Sequence, residues 1–248
     1  MKRPFIILIL LMVFSYGNAQ STTELTKEQC RASIDSIWAN CGYNKALKEV
    51  AKVCSENPNN DVSLTNMYLV RKHMKKCKIR WALDKLTPEN KLKAYALSLD
   101  KHVKTDQLKK GNQYYDFSWT TSDAEKHNLS DIAEEKDVLL IFYGLSCMGR
   151  DGIKYIADIY ERLDHNKVEV VSLCFADDQE QLKGYKSKYK IPWELGSDFQ
   201  GNHSDAKIKY GVQGTPTMVF INSEGKLLVI DEGFSKKALK NFERYCLR

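Results

Sequence analysis

The chain has 248 residues, 43% of them apolar and 28% charged, with a formal net charge of +6. That leaves room for one large or two small domains, and the apolar content is ordinary for a globular protein. The mild basicity points to no particular partner, and without a concentrated basic groove it speaks against nucleic acid.

The N-terminus reads as a targeting segment. Residues 1–19 have the pattern of a cleavable signal peptide: Lys2 and Arg3 are the charged start, Phe5 to Phe14 the apolar core, and Gly17 and Ala19 the small residues before a cut at Gln20. The apolar run is short for a bilayer span, so an uncleaved anchor is the lesser alternative. No cysteine follows the cut, which argues against a lipoprotein anchor, and no stable membrane span is expected after cleavage. The expected location is periplasmic or extracellular.

Seven cysteines in an exported chain call for pairing arithmetic. Cys30, Cys41, Cys54 and Cys77 come early; Cys147, Cys174 and Cys246 come late. Oxidising compartments favour disulfides, and four cysteines allow three pairings. The odd total leaves at least one thiol without an intrachain partner, and Cys147 is the candidate.

Residues 20–110 are expected to form a small all-α domain. Thr26 and Gln29 make a capping box with Leu25 as staple, opening a helix whose apolar face is Cys30, Ile34, Ile37 and Cys41. A second helix carries Leu47, Val50, Ala51 and Cys54. A third runs through Met67, Val70, Met74, Cys77 and Trp81. Thr87-Pro88 starts a fourth, with Leu92, Tyr95, Ala96 and Leu99 on its face. All four early cysteines then fall on apolar faces, either as two disulfide staples or as buried thiols. One bridge would add about 3 kcal/mol to a core of marginal size. A zinc site at His73 and Cys77 is the sharper alternative, but neither a C-x-x-C nor a second histidine pair supports it, and no metal is assigned. The basic run Arg71 to Arg80 reads as a solvated helix face.

From about Lys109 strands and helices alternate, the pattern of a layered α/β domain over 111–248. Tyr114 to Trp119 is a short strand. Val138 to Tyr143 is a buried strand that ends in a turn delivering Cys147 to a helix through Ile153, Ile156 and Tyr160. A helix start favours negative charge, and the thiolate is the reactive form of cysteine. Val168 to Phe175 is a second buried strand, and Asp178 to Tyr189 and Ser204 to Tyr210 are helices. Thr217 to Asn222 and Leu227 to Ile230 form a hairpin about Ser223–Lys226. Ser235 to Cys246 is the closing helix.

Two segments carry a resemblance. FYGLSCMGR, residues 142–150, resembles the F-W-x-x-W-C-x-x-C turn of the thioredoxin-like superfamily, in particular its exported TlpA/ResA-like thiol-disulfide oxidoreductase branch. YGVQGTPT, residues 210–217, resembles that family's Y-x-V-x-x-x-P-T segment, and Asp116 to Trp119 its opening. The resemblance covers about residues 114 to 246. It implies a central mixed sheet flanked by helices, a cis bond before Pro216, and Thr215 and Pro216 facing Cys147 to receive an extended peptide. It also implies that Cys147 is the nucleophile attacking a substrate disulfide, with Arg150 beside it as a positive charge.

The departure from the pattern is that Arg150 stands where the second cysteine would be, and Ile153 where many such proteins have an acidic residue. Resolution would then fall to the substrate's own second thiol, to an external reductant, or to Cys174 on the neighbouring strand, whose apolar surroundings also suit an inert thiol. Protein thiols or disulfides are the implied partners. A non-catalytic module gripping extended peptides is the alternative. No peroxiredoxin P-x-x-x-T-x-x-C, hydrolase triad, phosphate loop or dinucleotide fingerprint is present, and no cofactor is expected.

Overall fold

A computed structural model gives the structure of the chain and describes residues 24–145 and 147–247. The expected signal peptide lies outside the described residues. Six helices come first: α1 (Lys27–Asn40), α2 (Tyr43–Glu56), α3 (Asp61–Val70), α4 (Lys76–Asp84), α5 (Pro88–Lys91) and α6 (Ala94–Lys104). The capping box at Thr26 is formed in both directions, with Gln29 N–H donating to Thr26 Oγ1 at 3.3 Å and Thr26 N–H to Gln29 Oε1 at 2.9 Å. Cys30, Ile34, Leu47, Val50 and Cys54 meet in one core with Met67, Ile79 and Leu99.

Two helical expectations change. The run from Met67 to Trp81 is not one helix: α3 ends at Val70, a single 3-10 turn occupies Arg71–His73, Met74 is extended, and α4 begins afresh at Lys76. The break resets the helical phase. Ile79 and Ala82 take the inward positions, Cys77 is exposed and Trp81 is 47% exposed. His73 and Cys77 therefore sit on different elements rather than one turn apart. Likewise α5 is a single turn and α6 starts anew at Ala94, so Leu92 is 76% exposed while Ala96 and Leu99 go inward.

The disulfide expectation is also corrected. All seven cysteines are free. Cys41 is the C-cap of α1 and Cys77 faces outward, so only Cys30 and Cys54 share the core; there the Cys30 sulfur lies 3.0 Å from Ser63 Oγ.

The second unit is a seven-stranded mixed sheet in the order β2-β1-β5-β4-β3-β6-β7. The strands are β1 (Ser118–Thr121), β2 (Lys126–Asn128), β3 (Asp137–Gly144), β4 (Val168–Phe175), β5 (Glu194–Ser197), β6 (Thr217–Ile221) and β7 (Leu227–Glu232). The remaining helices are α7 (Ser130–Ala133), α8 (Gly149–Tyr160), α9 (Gln179–Tyr189), α10 (Asp205–Lys209) and α11 (Lys236–Cys246). β3, β4 and β5 run parallel, and β6 returns antiparallel to β3.

β3 is buried on both faces, which is why it reads as an unbroken apolar run. Leu139, Ile141 and Tyr143 face a core with α8, α9 and α11; Val138, Leu140 and Phe142 face a core with α7 and α10. β5 is a strand the sequence did not announce: Glu-Leu-Gly-Ser has no alternation, and its Gly196 leaves the space that Trp119 fills.

The two units are joined by polar contacts. Arg71 is buried and donates to the carbonyls of Tyr68 and, at 2.9 Å, Val212. The Tyr68 hydroxyl donates to Asn202, Ser98 donates to the Asn202 carbonyl, and Lys101 pairs with Asp205 at 2.6 Å. The chain between them already pairs with the second unit at Leu108, whose N–H donates to the Lys209 carbonyl.

Candidate functional site

The site is built at the C-terminal end of β3. The strand stops at Gly144, and the chain turns so that the Cys147 N–H donates back to the Gly144 carbonyl at 3.1 Å. The Cys147 sulfur then lies 3.0 Å from both the Gly144 N–H and the Gly144 carbonyl oxygen. A backbone N–H aimed at the sulfur stabilises negative charge there, while the carbonyl receives the thiol proton when one is present.

This differs from the expected placement. Met148 is the N-cap of α8 and Gly149 its first residue, so Cys147 stands just ahead of the helix and takes its donor from the strand end. Cys147 is half-buried against the core under α8.

Arg150 is exposed in the first turn of α8 and has no ion pair among the described residues. Ile153 is buried in the core beneath that helix, the role an apolar residue takes there. Gly152 is bare because the Phe234 ring lies against it: an added Cβ would sit 2.8 Å from Phe234 Cε2. Tyr155 reaches across to Glu243 on α11 at 3.1 Å.

Thr215 and Pro216 arrive at the same end of the sheet. β6 pairs with β3 so that Thr217 is opposite Phe142. Continuing that register levels Pro216 with Tyr143 and Thr215 with Gly144, the residue that holds the Cys147 sulfur. The Thr215–Pro216 bond is cis. Pro216 is buried with its carbonyl accepting from the Gly233 N–H at 2.7 Å, while Thr215 stays half-exposed.

Residues 110–230 match the AhpC/TSA family. Among solved structures, the chain is similar to a protein from Chlorobium tepidum described as the thiol:disulfide interchange protein DsbE. The two are 21% identical with a TM-score of 0.50, over 56% of this chain and 96% of that one. It is similar too to the thioredoxin domain of a thiol-disulfide oxidoreductase from Bacteroides vulgatus, at 17% identity and a TM-score of 0.50, over 56% of this chain and 99% of that one. A comparison with curated proteins found no match.

The second unit has a thioredoxin-like fold. Its mixed sheet and flanking helices are the fold class that the two sequence segments implied, and the helical unit ahead of it is the one that apolar periodicity implied.

Within the thioredoxin-like domain the other sequence candidates separate. Cys174 is fully buried on β4, opposite Tyr143, and burial pushes its thiol up to about 12. Cys246 is buried on α11 and is pushed up to about 12 in the same way. Trp193 is core, its indole N–H donating to Ser172 Oγ at 2.6 Å. Cys30, Cys41, Cys54 and Cys77 all belong to the helical unit, far along the chain from this turn.

Sequence reasoning missed three contributors. Gly144 acts through its backbone, which leaves no side-chain signal. Tyr143 reads as core and is core, Tyr185 on α9 was not singled out, and the hydroxyls of both are buried close to the two sulfurs. The polar atom on an inward-facing position of β3 was the available clue. Among the described residues, no three His, Cys, Asp or Glu side chains converge as metal ligands, and no helix is long and apolar enough to cross a membrane.

Proposed function

We propose that this protein is exported and performs thiol–disulfide exchange on protein substrates, with Cys147 as the single nucleophile that attacks the substrate. The observation that carries the reading is one half-buried sulfur at the end of β3, 3.0 Å from a backbone N–H, at the level of Thr215 and Pro216. The names borne by the two similar structures support it. On this reading residues 1–19 are removed on export, 20–110 form a helical domain, and 111–248 form the redox domain.

The step is attack by the Cys147 thiolate on a substrate disulfide. A sulfur–sulfur bond forms to Cys147, the substrate bond breaks, and the electron pair leaves on the departing substrate sulfur. Thr215 and Pro216 flank the extended peptide that carries the disulfide. Arg150, exposed one turn along, adds positive charge beside the site. An external dithiol returns the oxidised protein to its starting state.

The test is trapping. The native protein, treated with glutathione disulfide and digested, should carry the adduct on Cys147, and Cys147→Ser should abolish exchange with a disulfide-bonded peptide. A Cys147 that stays unmodified in the native protein, while reacting after denaturation, ends this reading. Arg150 in place of a second sulfur favours one other reading, a peptide-binding module without redox chemistry. That reading requires Cys147→Ser to bind partner peptides as tightly as the parent.

A further inference from the structure

A second sulfur lies beneath the first. Cys174 on β4 is directly opposite Tyr143 on β3 in a parallel pair, and side chains at paired positions leave a sheet on the same face. That face is the one under α8, and Cys147, Cys174, Tyr143 and Tyr185 all pack into its single core. Neighbouring strands are about 4.8 Å apart. Gly144, whose N–H lies 3.0 Å from the Cys147 sulfur, is the residue after Tyr143. The Cys147 sulfur is thus held beside the residue that faces Cys174 across the sheet, near enough for the two sulfurs to feel each other's charge. The turn that carries Cys147 is bounded by Gly144 and Gly149, and Gly149 has φ 60°, a conformation that glycine takes freely.

The surroundings are unusual for an inert core. The hydroxyls of Tyr143 and Tyr185 are buried without an oxygen or nitrogen partner, and the Cys174 thiol is the polar group beside Tyr143. Two hydroxyls and two thiols thus cluster inside an apolar core, placed where a proton must move if the sulfurs react.

We propose that Cys174 is the resolving thiol of this protein, attacking the mixed disulfide on Cys147 from below and closing a Cys147–Cys174 bond. The proposal rests on the exchange reading above. In the step, the bond between the Cys174 and Cys147 sulfurs forms and the bond from Cys147 to the substrate sulfur breaks. The electron pair leaves on the substrate sulfur. The Cys174 proton passes to that sulfur, with the Tyr143 hydroxyl beside the thiol as its relay. The substrate disulfide has gained two electrons and two protons overall, and the protein's two thiols have lost them. A dithiol reductant from outside restores both.

Burial keeps Cys174 protonated at rest, so it is closed to oxidants from solvent and reacts only with a disulfide delivered next to it. Held in place, it acts as an intramolecular reactant, where effective concentrations far exceed those of free thiols. This accounts for how the site can dispense with a sulfur at Arg150.

The experiment uses the full chain without residues 1–19, reduced and then exposed to glutathione disulfide, with adducts read at Cys147 by peptide mapping. In the parent protein the Cys147–glutathione adduct should be transient and give way to a linked Cys147–Cys174 peptide, two hydrogens lighter than the free pair. In Cys174→Ala the adduct should persist at least tenfold longer. Equal adduct lifetimes in the two proteins, with no linked peptide in the parent, overturn the assignment of Cys174 and leave exchange by Cys147 standing. Absence of any Cys147 adduct in either folded protein, with full reaction after unfolding, overturns both. Should Cys174→Ala fail to fold, the linked peptide in the parent decides alone: its presence supports the proposal and its absence refutes it.

Discussion

At the scale of single residues, the site is defined by what replaces what. Arg150 occupies the first turn of α8, the position to which the sequence resemblance assigns a second sulfur, and it points to solvent without an ion pair among the described residues. Nothing there has been rebuilt around the guanidinium. Arg150→Cys should therefore gain reduction of insulin disulfides over the parent, measured as precipitation rate with dithiothreitol as reductant; a rate no higher than the parent's would mean that the turn no longer supports the two-sulfur reaction. The place of Cys147, between a buried strand and a helix, was legible from the sequence, because the apolar run of β3 and the apolar spacing of α8 bracket it. Its true hydrogen-bond donor was not. Gly144 offers only a backbone N–H, and the position of that group relative to Cys147 depends on a turn whose closure the residue types do not state.

At the scale of elements, the strands were easier to read than the helices. β4 was expected at Val168 to Phe175 and is found there, because burial on both faces leaves a long apolar run between polar turns. The helix through Met67 to Trp81 failed because its apolar spacing continues across a break. Arg71 is drawn inward to carbonyls of another segment, and no local residue type signals that. The interior of the sheet also depends on buried pairs that alternation does not reveal. Ser172 on β4 accepts from the Trp193 indole at 2.6 Å, and both are fully enclosed. Ser172→Ala strands that N–H and should cost about 2 kcal/mol in denaturant unfolding. In a Trp193→Phe background the same change should cost much less; an unchanged cost would show that the hydrogen bond is not its source.

At the scale of the whole molecule, stability rests on the seam between the helical unit and the thioredoxin-like domain. Arg71 is its centre, charged, buried and bonded to carbonyls on both sides. Arg71→Ala should lower unfolding free energy by about 3 kcal/mol, with near-normal helix content by circular dichroism at low denaturant. The same seam sets a pH limit. Burial, with Arg71 and Lys76 nearby, pushes His102 down to about 4, and the neutral ring accepts from Gln107 Nε2 at 3.1 Å. An unfolded chain takes up that proton near its ordinary value of about 6.5. Stability should thus be full above pH 6.5, fall as pH drops to about 4, and level off below. His102→Gln should flatten that window in unfolding measured at several pH values; a profile identical to the parent's would move the pH dependence elsewhere.

The bond from Arg71 to the Val212 carbonyl has a further consequence. Val212 lies three residues ahead of Thr215, so the approach to the cis bond beside Cys147 is tethered to the helical unit. A force that tilts the helices pulls on that tether, and the turn facing Cys147 shifts without any of its own residues being touched.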